Sequence, residues 1–253
     1  MNKSTVALQL YTVRDFTQKD LPGTLKKIKA MGYDAVELAG TYQMQPADFK
    51  KLLDEVGLKA VSAHVPIDAF MENAAKTVAD YKHLGCAVLS IPYAPLEVLP
   101  GGKDFAGTKA KATELLALCK QEGLVLAYHN HHFEFEKLPC GTFILDALYA
   151  EIPELQAQLD TGWINVAGQD PVSYINKYSG RCPSVHLKDI VKLEDGKHED
   201  RPVGKGIQDM PSIIKAAIAA GAKHMIVELD QPVGMTAMEA AQESREYLKS
   251  IGY

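Results

Sequence analysis

Eight short β-branched or aliphatic runs recur along the chain. Each ends in or beside a polar residue able to hold a metal ion or a sugar hydroxyl. They are Val6–Gln9, Ala35–Glu37, Lys59–His64, Ala87–Ile91, Leu124–His131, Gln156–Asp160, Pro183–Lys188 and His224–Glu228. Near-continuous apolar runs of this length read as parallel strands buried on both faces. A helical pattern or helix-start signal follows most of them. Eight strand–helix units in 253 residues is the size and count of a (β/α)8 barrel, read as one domain over residues 1–253. In that fold the strand C-termini converge on one face. His64, His129, Asp160, His186 and Glu228, each from a different unit, are therefore expected to point into one site.

Apolar positions three and four apart predict helices over 21–30, 46–56, 69–84, 107–121, 142–151, 171–178, 211–220 and 236–249. Asp20 and Pro22 open the first as N-cap and early proline, and Gly32 closes it. The segment 191–208 breaks the pattern. It is polar, holds Gly196, Gly204 and Gly206, and reads as a long loop over the barrel mouth, a lid or substrate wall. A solvated surface excursion fits its composition equally well.

A net charge of −5 without a Lys/Arg-rich stripe disfavours nucleic-acid binding, which needs clustered cations on phosphates. No apolar stretch approaches the roughly 20 residues of a membrane span. The N-terminus runs straight into the first strand, so no signal peptide is expected. The four cysteines form no CxxC pair; Cys86 and Cys119 read as core residues, Cys140 and Cys182 as near loops. A reducing, cytoplasmic setting is expected. The expected partner is a small molecule, with neither nucleic acid nor membrane; a homo-oligomer is compatible with this composition.

Taken singly, the site candidates have ordinary readings. A histidine in a strand is more often a core residue, Asp160 suits a helix N-cap, and Lys188-Asp189 suits a surface pair. Their shared position changes the balance, because charged groups gathered at strand ends are costly to bury without a purpose. A mixed His/Asp/Glu set suits one divalent ion among Mn, Mg, Co, Fe and Zn, and does not choose between them. His131 lies two residues beyond His129, which strand alternation puts on the same face.

The chain resembles the sugar phosphate isomerase/epimerase family, the xylose isomerase-like TIM barrels. The resemblance spans nearly the whole chain. It is carried by Gly32–Leu38, Ser62–His64, Tyr128–Phe135, Leu159–Gly162, Val185–Asp189 and Ile226–Glu228, of which the fifth-strand and seventh-strand motifs are the specific ones. It implies one divalent metal, held in the ketose 3-epimerases by a glutamate on strand five and by residues matching Asp160, His186 and Glu228. The strand-five glutamate falls at His129. One of two opposed bases thus becomes an imidazole. Either His129 binds metal and serves as acid/base, with His131 as the alternative ligand, or the chemistry is one-sided. Glu134 matches a family glutamate that meets substrate hydroxyls; a surface loop charge is the other reading. The fifth-strand motif also resembles those of inosose dehydratases and of subunits that cleave 3-keto-glycosides. Both reactions begin with proton removal alpha to a ketone.

These readings combine into a metal-dependent enzyme acting on a sugar or cyclitol ketone through an enediolate. Isomerase, epimerase and β-eliminating lyase all fit. The lyase is preferred, because a leaving oxygen needs the proton that a histidine can donate. Glu228 is the candidate base, His129 and His131 are candidate acid/base groups, and Lys188 faces the oxyanion. His64, Glu37, Glu134 and Trp163 are expected to contact substrate, although Trp163 fits core packing as well. Tyr11 and Tyr93 are rim candidates. An unphosphorylated sugar or inositol is preferred, since Val203-Gly204-Lys205-Gly206 lacks the strand-to-helix context of a phosphate loop. Two other functions compete. A nuclease of the endonuclease IV type is disfavoured by the acidic balance. A non-catalytic sugar-binding barrel need hold no stoichiometric metal.

Overall fold

The expected runs form strands in a computed structural model that describes residues 4–194 and 196–253. The strands are β1 Thr5–Gln9, β2 Ala35–Ala39, β3 Lys59–His64, β4 Val88–Ile91, β5 Val125–His129, β6 Gln156–Asp160, β7 Ser184–Leu187, β8 Asp189–Lys192, β9 His198–Arg201 and β10 His224–Val227. All but β8 and β9 pair in parallel and close in the order β1-β10-β7-β6-β5-β4-β3-β2. The chain is a (β/α)8 barrel. Among the described residues no helix is long and apolar enough to cross a membrane.

Strand alternation sorts the side chains into two populations. Leu8, Val36, Leu38, Leu159, Val185 and Val227 join the large core beneath the helices. Ala7, Ala35 and Ile226 form a separate small cluster with Val61, and it plugs the barrel axis. Beside this plug the interior turns polar: Gln9, Glu37, Gln158 and Ser184 are fully buried there. Aliphatic residues usually fill these layers. β3 carries one extra residue, Val61, where the register shifts between Val36 and Glu37, and this bulge sets Glu37 beside Ser62.

The helices end where the residues say. Asp20 caps helix Leu21–Met31 by accepting from Gly23 N at 2.9 Å, and Gly32 terminates it at φ 94°. Thr236 and Glu239 form a reciprocal capping box on helix Ala237–Ser250. The short helix Arg14–Thr17 lies outside the sequence expectation, and Thr161–Val166 is the short helix for which Asp160 offered itself as N-cap. Cys182, expected near a loop, is buried, and its thiol donates to Tyr178 O at 3.3 Å.

The segment 191–208 is not the open loop expected from its polarity. β8 and β9 pair antiparallel as a hairpin, with Asp189 opposite Arg201. Asp200 ties it to the end of β10 by accepting from Asp230 N at 2.6 Å and Gln231 N at 2.9 Å. The return to the barrel is set by Asp189. Its carboxylate accepts from the backbone N–H groups of Ile190, Gly204, Gly206 and Gln208 at 2.9 to 3.2 Å. A Cβ at Gly206 would stand 2.1 Å from Asp189 Oδ1, so only glycine fits this turn. The glycine-rich stretch is an anion cradle, and the chain's own carboxylate fills it.

Candidate active site

The end of each strand is fastened to its neighbour before any functional atom is placed. Asp160 N donates to Asn130 Oδ1 at 3.0 Å, joining β6 to β5. Thr161 Oγ1 donates to His186 O at 2.9 Å and accepts from Lys188 N at 3.2 Å, joining β6 to β7. Gly162 then leaves room for the Lys188 stem, whose Cγ would lie 2.6 Å from a Cβ at 162. The run Asp160-Thr161-Gly162 is thus explained residue by residue. Asp160 is also the N-cap anticipated for it: Oδ1 accepts from Trp163 N at 2.8 Å. Its Oδ2 faces the barrel axis with no hydrogen-bond partner.

Four ligand-type residues meet there. One donor atom each from His129, Asp160, His186 and Glu228 lies within 4.8 Å of all the others, and all four residues are buried. His129 Nε2 is 4.0 Å from Asp160 Oδ2 and 3.9 Å from Glu228 Oε2. These gaps are too long for hydrogen bonds. Two ligands each about 2.1 Å from one ion stand roughly 3 to 4 Å apart, so the set fits a divalent ion after a small contraction. The orphaned Asp160 oxygen is the observation that favours a ligand role over packing.

His186 is held from both sides. Its Nδ1 faces Glu228 Oε2 at 2.9 Å and its Nε2 faces Glu37 Oε2 at 2.7 Å. Glu37 also receives Gln9 Nε2 and Gln158 Nε2, each at 2.7 Å, and lies 3.2 Å from His64 Nε2. Glu37, expected against substrate, is fully buried beneath the site and orients the His186 ring from below. Burial opposes its charge, but His64 and His186 outweigh burial and hold its carboxyl down to about 2. Burial likewise disfavours the His186 cation, yet Glu37 and Glu228 raise it to about 10.

Lys188 is buried to 1% exposure among carboxylates, with Nζ 2.6 Å from Asp230, 3.3 Å from Glu228 and 3.5 Å from Asp160. Burial pushes the Glu228 carboxyl up, but Lys188 and His186 overcome it and hold it well below the usual range. At Asp160 burial wins and the carboxyl is raised. Burial, then the positive neighbours, drives His129 well below its usual value. His131 is lowered to about 4 by burial and by Lys188. Both imidazoles are therefore neutral at pH 7 and offer lone pairs.

A cavity of about 770 Å³ opens over these atoms. His64, His129, His131, Trp163, Lys188 and Glu228 all line it. Trp163 stands at its side, with Lys188 Nζ 5.0 Å from the ring centroid, and Tyr11 and Tyr93 stand at the rim. Strand β5 stops at His129, so His131 sits on the following turn rather than in the strand. Its ring still lies 5.2 Å from that of His129. Glu134 is placed differently from its expected substrate contact. It is fully buried behind that turn and accepts from Tyr128 OH and His131 N, both at 2.7 Å. It positions His131. Asp230, Gln158 and Asp200 were not anticipated. Asp230 and Gln158 stand two residues from Glu228 and Asp160, so strand alternation was the available signal.

Comparison with known proteins agrees with this architecture. Residues 25–251 match the family model described as xylose isomerase-like TIM barrel. The chain is 26% identical over 193 residues to the rhizopine catabolism protein MocC of Rhizobium meliloti, covering 66% of this chain and 56% of that one. It is 26% identical over 155 residues to the inosose dehydratase of Geobacillus thermodenitrificans, covering 52% of this chain and 49% of that one. The chain thus spans about half the length of these two curated relatives. A third, the inosose dehydratase of Lacticaseibacillus casei, is 24% identical over 98% of this chain and 97% of its own. Among solved structures, a sugar phosphate isomerase/epimerase from Parabacteroides distasonis superposes with a TM-score of 0.82 at 24% identity, over 100% and 96% of the two chains. The IolI protein, solved with a zinc atom, superposes at 0.72 and 15% identity over 98% and 97%. The relatives are enzymes of sugars and cyclitols, and this chain belongs to the xylose isomerase-like TIM barrel family.

Proposed function

We propose that the chain is a divalent-metal-dependent enzyme that removes a proton alpha to the ketone of a sugar or cyclitol, and that β-elimination follows. The observation that carries this reading is the buried quartet His129, Asp160, His186 and Glu228, with Lys188 beside it, at the floor of a cavity walled by rings. The quartet would hold an ion whose positive charge would polarise a ketone oxygen and acidify the neighbouring C–H. Zinc in a structural neighbour and the mixed donor set support an ion without choosing it.

The chain's own groups divide the remaining work. Glu37 holds the His186 ring by its Nε2, leaving Nδ1 for the ion. The Lys188 ammonium meets charge developing on the substrate oxygen. The base shifts from Glu228, the expectation from sequence, to His131. A carboxylate held far down by Lys188 and His186 is a weak base. His131 is neutral, lines the cavity, and its Nδ1 has no hydrogen-bond partner. Having taken the alpha proton, the same imidazole can return it to a leaving oxygen on that face. One face then suffices, which accommodates the histidine at position 129.

Proton exchange in deuterated water with Mn²⁺ and a keto-inositol, followed by NMR, tests this. Wild type should exchange the alpha proton and release water. His131→Asn should stop exchange with metal content intact, and Glu228→Gln should lose metal. Full exchange in His131→Asn refutes the base assignment. Reversible C3 epimerisation of free ketohexoses without any elimination product refutes the lyase reading.

A further inference from the structure

Among the described residues, eight large apolar side chains stay exposed, and all but Ile218 lie in connections that leave the C-terminal ends of barrel strands. They fall into three patches on the mouth. Tyr11 and Val233 line the cavity over the quartet, Met71 and Tyr93 line a groove beside it, and Leu193 and Ile207 flank the β8–β9 hairpin. Exposed apolar residues scattered singly need no explanation, but a single face that gathers them is suited to being covered. The groove has a volume of about 1190 Å³ and lies between the start of helix Ile67–Leu84 and helix Phe105–Gln121. Ile67, Phe70, Val98 and Leu115 give it apolar walls. Helix Ile67–Leu84 is broken to make one of them. Asn73 departs from helical geometry, and its Oδ1 accepts from Lys76 N at 3.0 Å, capping the second piece. The first turn takes its own direction and sets Ile67 and Phe70 along the groove.

The hairpin is the matching ridge. Leu193 sits in its turn, which is closed by Leu193 N donating to Lys197 O at 2.8 Å and Gly196 N donating to Leu193 O at 3.0 Å. The hairpin follows β7, and the groove follows β3 and β4. In the closed ring of eight strands β7 and β3 stand four places apart, so ridge and groove lie on opposite sides of the mouth. β1 stands two places from each, which puts the Tyr11 patch midway between them. This arrangement is self-complementary. Turn a second copy to face the first, about a two-fold axis that crosses the mouth through β1. Each ridge then stands over the other copy's groove, and the two Tyr11 patches meet near the axis. Both contacts form together, so assembly closes at two copies and does not run on as a filament. The charges agree with this seating. Leu193 stands between Lys192 and Glu194, and the groove carries Asp68 on one helix and Lys111 on the other. Among the described residues, none of these four is ion-paired within its own chain. Lys192 against Asp68 and Glu194 against Lys111 fix the direction in which the ridge enters.

We propose that the chain pairs mouth to mouth with a second copy of itself, the hairpin of each copy seated in the groove of the other. The two cavities over the quartets then face one another, and the rim of each is completed by the opposite copy. A small molecule enters or leaves only when the pair opens.

Sedimentation over a concentration series and crosslinking test this together. Wild type should sediment as a dimer that dissociates on dilution. Leu193→Asp and Met71→Asp, both at exposed positions, should each weaken the dimer at least about tenfold. Ile218→Asp, exposed away from the mouth, should leave it unchanged. For crosslinking, the exposed Cys140 is first changed to Ser in every chain. Leu193→Cys and Met71→Cys chains are then treated with a short bis-maleimide, each alone and equilibrated as a mixture. In either pure dimer the two new thiols lie on opposite sides of the mouth, so little crosslinking is expected. In the mixture one Leu193→Cys chain meets one Met71→Cys chain, and a covalent dimer should form. A chain that is monomeric at every concentration overturns the proposal. So do dimers that neither mouth variant weakens, and so do crosslinks as strong in the pure samples as in the mixture.

Discussion

Lys188→Met removes an ammonium that stands within 3.5 Å of three carboxylates, those of Asp230, Glu228 and Asp160. Methionine keeps most of the stem's volume, so packing beside Gly162 and Trp163 changes little and the lost charge dominates. Breaking a buried ion pair from one side costs about 3–5 kcal/mol, because the opposite charge stays desolvated. Three carboxylates sharing one cation place the cost at the upper end, and protonation of Asp160, already favoured by burial, relieves part of it. The expected loss at pH 7 in EDTA is therefore about 3–5 kcal/mol, or roughly 6–20 °C in Tm for a chain of this size. Binding an ion at a hundredfold excess over Kd returns about 2.7 kcal/mol to either protein. The variant should gain more, because its site carries one more uncompensated negative charge. Urea unfolding of both proteins in EDTA and in Mn²⁺ reads all four stabilities. Equal stability of the two proteins in EDTA, or a metal increment no larger in the variant, would refute the charge argument.

Glu134 is raised by burial from 4.5 to about 7. Its proton is thus bound more tightly in the folded state, and the stability this gives is complete below pH 4.5 and lost as pH rises through 7. The swing is about 3 kcal/mol. Glu134→Gln, which can still pair with Tyr128 OH and His131 N, should flatten stability between pH 4.5 and 7; an unchanged slope in urea titrations sinks this. Gly162→Ala forces the Lys188 stem aside, at about 1–3 kcal/mol, partly offset by about 1 kcal/mol of helix propensity. Turnover should fall at least about tenfold while stability changes by less than ~2 kcal/mol, and equal turnover would show that Lys188 has slack. Asp200→Ala orphans two backbone donors at the end of β10, for a loss of about 1–3 kcal/mol. Amide exchange at Asp230 and Gln231 should rise, and unaltered protection there would detach the hairpin from the site.

The barrel was legible because each strand carries its own apolar run and each helix its own cap; Asp20, Gly32 and Thr236 act within four residues of themselves. The gathering of His129, Asp160, His186 and Glu228 was legible for a related reason, since a residue at a strand's end has its place set by the strand. What stayed hidden depends on contacts between distant segments. The hairpin β8–β9 owes its form to Asp189 and Asp200, whose partners lie 15 to 31 residues further along the chain. Polarity alone read that stretch as open loop. Glu37 was assigned to substrate as a charge at a strand end, and Glu134 because it matches a family glutamate that meets substrate hydroxyls. The bulge at Val61 in β3 and the Tyr128–His131 turn bury them instead, and local sequence carries no mark of depth.

The turn that closes over Asp189 has a consequence for the surroundings in which the chain works. Four inward N–H groups make a receptor, and here the ligand is built into the receptor's own chain. A tethered anion is present at an effective concentration of millimolar or above and cannot diffuse away. Inorganic phosphate would have to evict it and strand a carboxylate without water. The hairpin that lines the cavity is therefore insulated from the ionic composition around it and keeps one shape in phosphate-rich and phosphate-poor solution. The same closure binds three positions to one fate: a change at Asp189, Gly204 or Gly206 leaves the other two fitted to a partner that is gone.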